Sequence, residues 1–110
     1  FEGVYVHFCG RGKQLFDIYM DVDEVRCVNF GNPENYDFAE ILPELISRGK
    51  HCYGTIPKKP GETLNEYFTR IIGYLSGCRK GLILKIKEKV DAQRASEIME
   101  LWHETQDKLL

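Results

Sequence analysis

VYVHFCGRGKQLFDIYMDVDEVRCVNF, residues 4–30, decides the fold. It holds three apolar stretches separated by two polar breaks. In the first, Val4 and Val6 alternate with Tyr5 and His7, the two-residue period of a strand. Gly10-Arg11-Gly12-Lys13 then reads as a turn, because glycine takes positive φ at little cost. In the second stretch, residues 15–20, Phe16, Ile18 and Met20 share one side, and the same period predicts a second strand. Asp21-Val22-Asp23-Glu24 is a second turn. Residues 25–30 read as a third strand, with Val25 and Cys27 opposite Val28 and Phe30. Three strands joined by short links predict an antiparallel meander.

Beyond it the period changes. Phe38, Ile41, Leu42, Leu45 and Ile46 form a helical stripe, with Asp37 as its cap and Glu40 three residues on. Pro43 is expected to kink this helix or delay its start, and Gly49 is a natural stop. Residues 51–56 read as a short strand weakened by Gly54. Thr63 and Glu66 make a capping box for a helix whose stripe is Leu64, Tyr67, Phe68, Ile71, Ile72 and Leu75. In residues 82–88, Leu82, Leu84 and Ile86 oppose Ile83, Lys85 and Lys87, which predicts a strand with one wet face. Asp91 caps a last helix carrying Ala95, Ile98, Met99, Trp102 and Leu109. The expected fold is mixed α+β: a three-stranded antiparallel meander followed by helix-strand-helix-strand-helix. That element order is similar to a ribonuclease H-like sheet. With no repeat or linker, residues 1–110 read as a single globular domain.

Composition narrows the function classes. With 43% apolar and 29% charged residues the chain is not a disordered segment. Its apolar runs are far too short for a membrane span, so no membrane partner is expected. Cys9, Cys27, Cys52 and Cys78 are too few for a disulfide-stapled scaffold in a chain with this much core. They read as reduced thiols, and the expected location is cytoplasmic. The net charge of −2 is unevenly spread: residues 17–44 carry eight acids and one base, and residues 79–89 five bases and one acid. Such segregation marks faces with different partners.

No phosphate loop, dinucleotide glycine pattern or nucleophile elbow occurs, so no cofactor is expected. His7 and Cys9 share a strand face, but zinc prefers four ligands in close pairs and no such set is spelled out, so no metal is assigned. A thiol–imidazole pair needs His7, His51 or His103 beside a cysteine; the neighbours His51 and Cys52 point to opposite faces of a strand. A two-metal nuclease needs an acid in its first strand, and Asp17, Asp21, Asp23 and Glu24 sit instead in the second strand and its turn. No catalytic residue follows. Arg79, Lys80, Lys85, Lys87 and Lys89, with Lys58 and Lys59 beyond them, offer a row of cations suited to a phosphate backbone. Met99 and Trp102 are candidate anchors for a partner. The leading expectation is a small non-enzymatic interaction or regulatory domain that meets another protein or a second copy of itself. A nucleic-acid-binding domain using the basic face is the alternative, and a nuclease-like hydrolase a third.

Overall fold

A computed structural model describes residues 3–10 and 12–110, and in it strand and helix alternate from end to end. The elements are β1 (Val4–Phe8), α1 (Lys13–Met20), β2 (Val25–Phe30), α2 (Phe38–Ser47), β3 (His51–Gly54), α3 (Leu64–Tyr74), β4 (Leu82–Leu84) and α4 (Ala92–Leu109), with a 3-10 turn at Pro33–Asn35. Arg11, part of the expected first turn, lies outside the described residues.

The departure from the sequence reading is α1, which was expected to be a strand. Phe16 and Met20 are four apart, which is two strand repeats and also about one helical turn, so this pair satisfies both periods. Ile18 breaks the tie. A strand would hide it beside Phe16 and Met20, yet it is 58% exposed while those two are buried. The helix carries the chain back to its starting end, so β2 runs parallel to β1. β3 and β4 add in the same direction. The expected antiparallel meander, and with it the ribonuclease H-like element order, gives way to an all-parallel four-stranded sheet in the order β1-β2-β3-β4.

Crossovers of one hand that always step the same way deliver every helix to one face of the sheet. The side chains agree. Val28, Phe30 and Cys52 on that face share one core with Phe16 and Met20 of α1, Leu42 and Leu45 of α2, Phe68 and Ile71 of α3 and Ile98 of α4. Fully burying a side chain of this size contributes about 1.5–3 kcal/mol. Local chemistry sets the helix starts. Asp37 accepts from the Ala39 amide at 3.0 Å, Thr63 from Glu66 at 3.1 Å and Asp91 from Arg94 at 2.8 Å. Pro43 sits inside α2, which runs on past it.

The opposite face has no helix among the described residues. Parallel sheets are ordinarily covered on both faces. Here Tyr5, His7, His51, Tyr53 and Ile83 stand exposed on it. Among the described residues no helix is long and apolar enough to cross a membrane.

Candidate functional site

Four parallel strands end on the same edge, and in parallel α/β sheets ligands bind beyond the carboxyl ends of the strands. Here those ends supply His7 and Cys9 from β1, Asn29 and Gly31 from β2, Tyr53 and Gly54 from β3, and Lys85 after β4. An open cleft of about 540 Å³ lies between them, walled by residues 31–34 on one side and by Lys85 and Lys87 on the other. That volume falls in the range of small-molecule sites. The loop after β1 is pinned from the segment after β2. The Gly10 amide donates to Asn32 Oδ1 at 2.5 Å, and the Gly12 amide donates to the Tyr36 hydroxyl at 2.6 Å.

His7 and Asn29 line the cleft, Cys9 stands beside it against His7, and one chain of hydrogen bonds through the three orients the histidine ring. Asn29 Nδ2 donates to the Tyr53 carbonyl at 2.6 Å. A carbonyl only accepts, so Asn29 turns its amide nitrogen to Tyr53 and its Oδ1 to His7, 2.5 Å from Nδ1. An amide oxygen also only accepts, so the network assigns the imidazole hydrogen to Nδ1. In the neutral ring Nε2 then carries the lone pair, and it faces Cys9 Sγ at 3.4 Å. The thiol therefore donates to an imidazole that an amide holds in place. A nucleophile, a base and a group that orients the base stand in sequence.

Two glycines make room for this chain. A Cβ at residue 31 would lie 2.5 Å from Cys9 Sγ and 3.0 Å from His7 Cε1. A Cβ at residue 54 would lie 2.6 Å from Asn29 Nδ2, and Gly54 also holds a φ of +145°, which side-chain-bearing residues rarely adopt. The glycine that weakens β3 as a strand is the one that lets Asn29 reach across to it.

The other cysteines differ. Burial pushes the Cys52 thiol up to about 12, and desolvation raises Cys27 as well. Both are held as unreactive thiols. Cys9 is exposed, and its sulfur stands against the His7 Nε2 nitrogen. His7 and Cys9 are also two of the ligand types zinc accepts, but structural zinc takes four. Among the described residues no group of three or more His, Cys, Asp or Glu is placed to hold a metal ion.

The basic residues read from the sequence divide between the two ends of the sheet. β4 is three residues long, so Lys85, Lys87 and Lys89 follow it rather than line it. Lys85 and Lys87 wall the cleft. Arg79 and Lys80 precede β4, at the opposite end, where Arg79 pairs with Asp107 at 3.1 Å. Trp102 is half-buried and meets the Phe68 ring edge-on at 5.0 Å, whereas Met99 is 52% exposed. Asn29, Gly31 and Gly54 were not legible as site residues. In a meander the strand holding Asn29 is separated from the strand holding His7 by an intervening strand. Only the parallel order makes the two neighbours, with His7 opposite Asn29 in the register.

Compared with protein-family models, curated proteins and solved structures, the chain finds no match in any of the three.

Proposed function

We propose that the cleft is the site of an enzyme that uses the Cys9 thiol as a nucleophile toward a small anionic molecule. The observation that carries this reading is the Cys9–His7–Asn29 chain, for which Gly31 and Gly54 leave space. His7 Nε2 takes the thiol proton as the sulfur attacks an electrophilic carbon of the substrate. The leaving group departs with the bonding pair and takes the proton back from Nε2; water, giving a proton to Nε2, then attacks the same carbon, and Cys9 sulfur leaves and takes that proton back as the free thiol. Asn29 keeps Nδ1 protonated, so that Nε2 is the nitrogen that accepts. Lys85 and Lys87 supply positive charge for a carboxylate or phosphate on the substrate.

Alkylation by a neutral and an anionic reagent tests both halves. Cys9 is expected to react faster with iodoacetate, relative to iodoacetamide, than free N-acetylcysteine does. Replacing Lys85 and Lys87 by Met is expected to abolish that preference. If Cys9 shows the same reagent ratio as N-acetylcysteine, the cleft does not select anions and the reading fails.

A role in protein interaction is favoured by a separate observation. The large exposed apolar side chains include Tyr5 and Leu15 at the β1 side of the sheet and Ile83 and Met99 at the β4 side. The polyanion alternative has less support, because the five candidate cations do not form one row.

A further inference from the structure

We propose that a second copy of this chain completes the sheet, giving a closed eight-stranded parallel barrel with one twofold axis along its centre. The inference is independent of the thiol chemistry and rests on the edges and open face of the sheet.

Topology comes first. Among the described residues β1 and β4 each have a neighbour on one side only, and every crossover steps the same way. A parallel α/β sheet wound in one direction closes at eight strands with its helices outside. Two copies supply eight. A twofold axis parallel to the strands sets β4 of each copy beside β1 of the other and keeps all eight parallel. Edge strands left open are templates for such pairing, and a closed symmetric pair is the commonest assembly.

The two edges also complement each other. Beyond β4, an apolar groove of about 260 Å³ is lined by Leu84, Ile98, Met99 and Trp102. In the closed ring α4 of one copy neighbours α1 of the partner. Besides its buried stripe, α1 carries exposed Leu15 and Ile18, and exposed Val22 follows it; these three are spaced i, i+3 and i+7. The uncovered face becomes the interior, which takes in Tyr5, Tyr53 and the 62% exposed Ile83. The carboxyl-end cleft of each copy then opens onto the same mouth.

Light scattering on the eluting wild-type chain is expected to give a mass twice the 12.8 kDa of one copy. Ile83→Glu places a charge in the closed interior, and Leu15→Glu with Ile18→Glu places two on the α1 face that meets the partner's groove. All three residues are exposed in one copy, so each variant is expected to keep its helical circular dichroism and to lose dimer affinity by roughly 100-fold. A monomeric wild type, a mass that climbs past the dimer with concentration, or folded variants that stay dimeric overturns the proposal. Cys9 alkylation, measured on the same samples, reports on the thiol site separately.

Discussion

One methyl group added at residue 31 probes the packing behind the thiol–imidazole pair. In Gly31→Ala the new carbon would sit 2.5 Å from Cys9 Sγ, 3.0 Å from His7 Cε1 and 3.2 Å from His7 Nε2. Comfortable contacts between heavy atoms begin near about 3.5 Å, so the sulfur must retreat by about 1 Å. From a starting separation of 3.4 Å, that displacement ends its hydrogen bond to Nε2. The backbone at residue 31 is not in the left-handed region, so the whole cost is steric. Overfilling a closed core costs about 1–3 kcal/mol. Cys9 and His7 are exposed and can swing aside, so about 1 kcal/mol or less is expected here. The effect on chemistry is larger. A positioned base contributes about 100-fold or more to proton transfer. Loss of its contact is expected to slow Cys9 alkylation by iodoacetamide at least about tenfold. Mass spectrometry of the labelled peptides reads this directly, with Cys78 as internal standard and thermal melting as the check on folding. A folded Gly31→Ala chain whose Cys9 reacts at the wild-type rate refutes the reasoning.

Three further outcomes follow from the packing. Gly73 lies exposed in α3 with nothing within 4 Å of a Cβ, so Gly73→Ala is expected to stabilise the chain by roughly 0.5–1 kcal/mol in a denaturant melt. Lys50 is buried and its ammonium donates to the Val22 and Val25 carbonyls at 2.8 and 2.7 Å. Lys50→Met removes both bonds, although the Val22 carbonyl still accepts from the Val25 amide at 3.1 Å, and is expected to cost about 1–3 kcal/mol by urea unfolding. Glu62 accepts two bonds from Arg70, at 2.7 and 2.8 Å, and the guanidinium holds its carboxyl down at about 2 against an ordinary 4.5. A lowered folded value stabilises above the unfolded one and is lost on acidification. Stability should therefore fall as pH drops from 4.5 toward 2. The full effect is about 3 kcal/mol at most, and solvent screening brings it to about 1–2 kcal/mol. Melts of Glu62→Gln in that window should show a correspondingly flatter acid limb; an unchanged limb contradicts the assignment.

What was legible in the sequence was local. α2, α3 and α4 each announce themselves by a cap side chain and a long stripe, and each begins beside the residue named as its cap: Asp37, Thr63 and Asp91. α1 has neither. It is eight residues long, its cap is Gly12 with no side chain to accept, and its two buried residues fit both periods. That one ambiguity reversed the direction of the sheet. β4 was read too long because alternation continues through Ile86, whereas pairing needs a partner. β3 ends at Gly54, and the Lys85 amide donating to the Gly54 carbonyl at 2.8 Å lies at the limit of the ladder. The site was half legible for the same reason. His7 and Cys9 share a strand face by period alone, and this could be read. Asn29, Gly31 and Gly54 join them only through strand order and register, which no spacing along the chain encodes.

The state of the His7 ring is the most direct test, because the proposed chemistry needs its hydrogen on Nδ1 and its lone pair toward Cys9. Nitrogen NMR of the imidazole, recorded near about pH 8 and so above the ordinary histidine range, distinguishes the two neutral forms. A Nδ1–H tautomer in the wild-type chain, shifting toward Nε2–H when Asn29 is replaced by Ala, is the predicted result. A Nε2–H tautomer in the wild-type chain would contradict the account, since Nε2 would then have no lone pair to offer the thiol.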